Sequence, residues 1–147
     1  MKIDDTNIAI IRGLRDGRRS FKAIAEELSI TENTVRSRVN RLVDGGVLEI
    51  GGLVDPAALG GHSVILIGVR LATVNLVKKG EEFAKLRGVV SVSVVTGRYD
   101  LIVQVLLNDD FGILEFYTQE VSRIDEVQSV ETFVVYKSYN LKVPYVL

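Results

Sequence analysis

Three arginines, an asparagine and two small hydroxyl side chains crowd into one short window: Thr34, Arg36, Ser37, Arg38, Asn40 and Arg41. Guanidinium forks pair with phosphates and guanine edges, carboxamides with adenine edges, and small hydroxyls with either. Presented on one surface, these groups would read duplex DNA. That surface exists only if the segment is helical, and its spacing says so. Val35, Val39 and Leu42 recur at i, i+4 and i+7 as a buried stripe, which leaves Glu32, Asn33 and the six residues above facing outward. Thr31 stands where an N-cap belongs. Upstream, Phe21, Ile24, Ala25 and Leu28 recur at i, i+3, i+4 and i+7, with Ser20 as the cap of that helix. Residues 29–31 break the two. Two short helices joined by a turn of three or four residues, the second cationic, predict a helix-turn-helix. Arg18, Arg19 and Lys22 are then expected on the DNA backbone. An outward-facing arginine helix is often only a solvated one, so the rest of the chain has to decide.

The 147 residues are 47% hydrophobic, enough for a sizeable core and for one ordinary domain or two small ones. No apolar run is long enough to span a bilayer and the first residues do not read as a signal peptide, so a cytoplasmic protein with no membrane role is expected. With no cysteine and one histidine, His62, disulfides and multi-histidine metal sites within a subunit are excluded, and no cofactor is expected. A net charge of −1 argues against coating nucleic acid by bulk positive charge. Residues 1–50 carry a small positive excess and the remainder a small negative one, and the positive charge is local to Arg12, Arg15, Arg18, Arg19, Lys22, Arg36, Arg38 and Arg41. So few phosphate contacts per copy would hold a duplex weakly, which implies a dimer or more.

The remaining elements follow from periodicity. Residues 4–15 predict a first helix with Ile8, Ile11 and Leu14 on one face, ended by Gly17. After the arginine helix, residues 47–50 and 53–54 flank Gly51-Gly52 and predict a small hairpin, or wing. Residues 1–54 thus read as a winged helix-turn-helix domain and residues 55–61, with Pro56 and Gly60-Gly61, as a linker. Residues 62–147 then read as strand (63–72), helix (76–86), strand (89–96), turn (97–100), strand (101–107), helix (111–124) and strand (127–136). The order βαββαβ predicts a ferredoxin-like fold, an antiparallel sheet with two helices on one face, and an α+β protein as a whole. Two strands, 63–72 and 101–107, are apolar on both faces. They would be central, and a second copy of the sheet is the simplest cover for the face that the helices leave bare. Lys78-Lys79 reads as a solvated helix face, Tyr136 and Tyr139 as packing, and Leu114, Tyr117 and Val121 as the stripe of the last helix.

At this point the chain resembles the Lrp/AsnC, or feast/famine, regulators over almost its whole length. The resemblance is carried by Asp4…Asn7-Ile8 with Gly17-Arg18, by the pattern of the two helices after it, and by Gly46-Val47-Leu48. It continues in Thr96-Gly97-Arg98-Tyr99-Asp100 and in residues 125–132. Ser29 departs from it, standing where a glycine is common, and would have to take a strained backbone conformation. The resemblance implies a transcription regulator that binds double-stranded DNA as a homodimer, assembling to an octamer or other even oligomer. It also implies an amino acid or related small-molecule effector bound between C-terminal domains. A turn such as Gly97, Arg98, Tyr99 and Asp100 can aim backbone N–H groups at a carboxylate, and Asp100 could hold an ammonium group. Gln128, Ser129 and Thr132 match positions that the family uses near its ligand.

A competing reading is enzymatic, since some proteins of similar two-domain architecture are decarboxylases of haem biosynthesis. Such chemistry needs a positioned general acid or base. One histidine, no cysteine and no Ser/His/Asp constellation make it the weaker expectation.

Overall fold

The computed structural model describes residues 2–147, which pack as two units, one ending at Gly51 and the other running Gly52–Leu147. The first unit holds α1 (Asp5–Gly13), α2 (Phe21–Leu28) and α3 (Glu32–Asp44). Each starts at a side-chain cap: Asp4 accepts from the Asn7 amide, Ser20 from Ala23 and Thr31 from Thr34. Caps of this kind are worth about 1 kcal/mol each. Ile10, Ile24, Ala25, Val35 and Val39 make the core of this unit, with Leu14, Phe21, Leu28 and Leu48 packed against it. The inward stripe of α1 is therefore Asn7, Ile10 and Leu14, and Ile8, expected inside, is exposed. The observed stripe steps i, i+3, i+7, and its Asn7 carboxamide oxygen accepts from Arg38 of α3 at 2.8 Å. Gly13, with Leu14 as C-cap, ends α1 well before Gly17.

The expected wing hairpin does not form. Residues 45–52 carry no strand, and β1 (Leu53–Val54) pairs antiparallel with β6 (Val143–Pro144) in the second unit. Its partner strand lies far away in sequence, which local turn signals cannot reveal. Residues 55–61 also pack into that unit. Pro56 is buried at the start of a 3₁₀ turn, and Asp55 caps that turn while accepting from Lys142 Nζ at 2.7 Å.

The second unit is built on a four-stranded antiparallel sheet of β2 (Ser63–Leu71), β3 (Val89–Val94), β4 (Leu101–Leu107) and β5 (Val127–Val134), in the order β3-β4-β2-β5. With α4 (Leu76–Ala84) and the helical segment before β5 on one face, this is the ferredoxin-like arrangement, and the two doubly apolar strands are central. Ile65, Ile67 and Val69 of β2 and Leu101, Val103 and Val105 of β4 meet Phe83, Phe116 and Val121 in the main core.

The segment expected as one helix over 111–124 is α5 (Ile113–Glu115), then a π turn (Phe116–Glu120), then a 3₁₀ turn (Val121–Arg123). Two hydroxyls mark the change. Thr118 donates to the Leu114 carbonyl at 2.8 Å and Ser122 to the Thr118 carbonyl at 2.7 Å, interactions that compete with the regular ladder. The wider turn rephases the stripe, so that Phe116 is fully buried and Leu114 is exposed. Lys79, expected in solvent, is buried, with Glu82 at 3.0 Å and Glu126 at 3.5 Å. Tyr136 and Tyr139, expected to pack, are exposed.

The sheet face away from the helices is covered at one end only. Val64, Leu106 and Val143 are buried there under Leu141 and Val146 of the C-terminal tail. Further along, the Tyr99 ring lies so close over Gly68 that a Cβ on that glycine would stand 2.7 Å from it. Phe133 meets Tyr99 edge-on at 6.2 Å between centroids and stays half-exposed.

Candidate functional site

The outward face of α3 carries the residue types that sequence alone singled out, but the structure divides their roles. Arg41 is exposed, with no carboxylate in ion-pair reach among the described residues, and the same is true of Arg18 and Lys22. Arg36 is braced by Glu32 one turn back at 2.6 Å and lies 5.3 Å over the Phe21 ring. An exposed i, i+4 pair is worth only about 0.3–0.5 kcal/mol, so a phosphate can take that guanidinium at little cost. Arg19 is paired with Glu27 on α2. Thr34 shares a 2.8 Å hydroxyl contact with the cap Thr31, while Ser37 and Asn40 are exposed.

Arg38 differs from the others. Its Nη1 donates to both carboxylate oxygens of Asp4 and to Asn7 Oδ1, each at 2.8 Å. The guanidinium beside Asp4, together with the Asn7 amide, holds the Asp4 carboxyl below its usual range. Asp4, Asn7, Asn33, Ser37, Arg38 and Arg41 share a groove of about 410 Å³ along α3.

The residues expected around an effector are not all brought together. Tyr99 and Arg98 stand on the sheet face away from the helices. There the Tyr99 hydroxyl donates to Glu131, and Arg98 reaches Glu131 at 3.4 Å and the Tyr99 ring at 5.6 Å. Thr132 points to the opposite face, its hydroxyl 2.6 Å from that of Tyr117. Asp100 lies between. One of its carboxylate oxygens accepts from the Leu71 amide at 2.8 Å, where β2 is bulged, and its own amide donates to Val69. Gln128 and Ser129 are exposed at the same bulge, and Gly97 takes a φ of +119° at the turn.

Comparison with known proteins bears on both regions. A family profile described as the Lrp/AsnC ligand binding domain matches residues 64–143, and one described as the AsnC-type helix-turn-helix domain matches residues 3–43. The chain belongs to the Lrp/AsnC family. It is similar to an HTH-type transcriptional regulator of Pyrococcus horikoshii, 34% identical over 137 residues that cover 92% of this chain and 87% of the relative. It is also similar to the HTH-type transcriptional regulator Ptr1 of Methanocaldococcus jannaschii, at 26% identity with 93% and 94% of the two chains covered. Among solved structures, AsnC of E. coli matches with a TM-score of 0.72 at 22% identity, covering 96% and 97%. A regulator of Neisseria meningitidis, solved as a complex with L-Met, matches with a TM-score of 0.73 at 20% identity, covering 99% and 96%. At those identities the likeness shows the fold.

This Lrp/AsnC protein is a transcriptional regulator, not an enzyme, with a DNA-binding helix-turn-helix domain ahead of a ligand-binding domain. Among its described residues no helix is long and apolar enough to cross a membrane. Sequence reasoning missed four participants. Asp4 and Asn7 hold Arg38, Glu131 holds Tyr99 and Arg98, and Tyr117 holds Thr132. Asp4 and Asn7 were visible as part of the family pattern, yet nothing in a helix-period reading links them to a residue 34 and 31 positions on, respectively.

Proposed function

We propose that this regulator binds specific duplex sites through the outward face of α3 and answers to an amino acid or a related metabolite by a change of assembly. The observation that supports it most is the free cationic and amide surface of Asn33, Ser37, Asn40 and Arg41 on a capped, well-packed helix. Thr34, Arg36, Ser37, Arg38, Asn40 and Arg41 make base and phosphate contacts, with Arg18, Arg19 and Lys22 on the flanking backbone. Such a regulator works beside the DNA, in the cytoplasm. Two copies are joined through the half-covered sheet face around Leu66, Tyr99 and Phe133, and dimers assemble into an octamer or another even oligomer. A face of that kind favours association because the helices bury only its other side.

The effector binds near the β2–β5 bulge, with Gly97, Arg98, Tyr99 and Asp100 on one side and Gln128 and Ser129 on the other, while Thr132, bonded to Tyr117 on the opposite face, stays outside the site. Asp100 retains one carboxylate oxygen without a partner among the described residues, enough to accept from an ammonium group. Ligand that prefers one arrangement of subunits shifts the population toward it and so resets the spacing of the reading helices.

The DNA assignment is tested by salt titration of duplex affinity. Arg41→Gln should weaken binding to all sequences alike and flatten the slope of log K against log salt by about one. An unchanged slope would remove Arg41 from the interface. The ligand assignment is tested by thermal shift across the amino acids. A stabilising amino acid should lose its effect in Asp100→Asn, and retention of the full shift would place the site elsewhere.

A further inference from the structure

One arginine on the reading face is already occupied on one side. Arg38 Nη1 spends its protons on Asp4 and Asn7, at 2.8 Å to each of three oxygens. The Nε–H and Nη2–H groups, which together form the side-on fork of a guanidinium, have no partner among the described residues. The anchors are themselves fixed. Asp4 is the N-cap of α1, accepting the Asn7 amide at 2.8 Å, and Asn7 is buried. The Arg38 side chain keeps partial exposure and opens onto the groove that it shares with Asn33, Ser37 and Arg41.

Two physical consequences follow. The rotamer freedom that a long side chain loses on docking has been given up before any ligand arrives. The adjacent carboxylate also offsets the positive charge, which weakens Arg38 as a phosphate-binding cation without removing its hydrogen-bonding fork. A pre-aimed, charge-compensated fork suits the O6/N7 edge of guanine better than a phosphate. We infer that Arg38 is a specificity-determining base reader and that Asp4 and Asn7 are positioning residues that aim it. This rests on the DNA-binding reading above and assigns within it which arginine carries sequence information.

The test begins with duplexes enriched from a random-sequence library by the wild-type regulator. Affinities for an enriched duplex and for a scrambled one of equal length are then compared at one salt concentration. Asp4→Ser retains a capping oxygen but cannot reach Arg38. It should leave scrambled-duplex affinity equal or higher while lowering the ratio of enriched to scrambled affinity by roughly tenfold, the scale of one bidentate base contact. Repeated enrichment with that variant should relax one base position. Arg38→Lys should lower the ratio similarly, and Asp4→Ser added to it should change little more. Asp4→Asn, which preserves shape and cap, should shift the ratio in the same direction and guards against a folding defect in the serine variant. An Asp4→Ser ratio that is unchanged or higher would overturn the inference while leaving DNA binding intact. Failure of the wild type to enrich any sequence would overturn the DNA-reading assignment itself, and this inference with it.

Discussion

Ser29 ends α2 at φ 54° and ψ 41°, the left-handed region that a side chain disfavours. Its amide closes the helix by donating to Ala25 and Glu26 carbonyls, so the conformation serves the turn into α3. Ser29→Gly should raise stability by about 0.5–1 kcal/mol, because relief of strain outweighs the extra freedom of glycine in the unfolded chain. A melting temperature lowered by that change would contradict the reading. Asp4 makes a second prediction at this scale. Folding lowers its pKa below the ordinary 3.8, first through the Arg38 hydrogen bond. The unfolded chain therefore takes the proton first on acidification. The stabilisation is fully present above the ordinary value and is lost as pH falls through the folded one. Asp55, held by Lys142, adds to stability with the same sign. The acid limb of stability against pH, below about pH 4, should be shallower in Asp4→Asn than in the wild type, and equal slopes would contradict it. Residue chemistry was legible in the sequence where it depended on near neighbours. The caps Ser20 and Thr31 and the outward arginines could all be read from spacing. The Asp4–Arg38 and Glu131–Tyr99 pairs could not, because each joins elements whose contact is a tertiary fact.

Elements that repeat cleanly were legible for the same reason. β2 and β4 announced themselves as central by being apolar on both faces, and the order β3-β4-β2-β5 places both inside. Where a hydroxyl or a distant strand intervened, the pattern misled. Thr118 and Ser122 draw the last helix into a π turn and a 3₁₀ turn, and β6 takes β1 away from the expected wing. That ladder gives the tail a structural task. Val143 is buried with Val64 and Leu106, and Lys142 pairs with Asp55. Deleting residues 141–147 should uncover this apolar cluster and cost several kcal/mol, at about 1.5–3 kcal/mol for each large apolar side chain uncovered. It should be seen as a lower unfolding midpoint with stronger binding of an apolar dye. A truncated chain with wild-type stability would show the tail to be incidental.

At the scale of the molecule, the part of the sheet's second face that the tail leaves uncovered is where we propose that another copy packs. Phe133 and Leu66 are register partners on that face, and Phe133 is half-exposed in the single chain. Phe133→Asp would place an unpaired carboxylate in the contact and should weaken self-association at least about a hundredfold, with the fold retained. Light scattering on the separated species would show the mass of one chain, whereas an unchanged mass would move the interface elsewhere. On the proposed pairing, two copies bring two α3 helices to one duplex. Hydroxyl-radical footprinting on an enriched duplex measures it most directly. At least two protected half-sites are expected on one face of the duplex, separated by whole helical turns of about 10–10.5 base pairs, with the loss of all of them together in Phe133→Asp. A single protected patch, or half-sites that survive in Phe133→Asp, would contradict it.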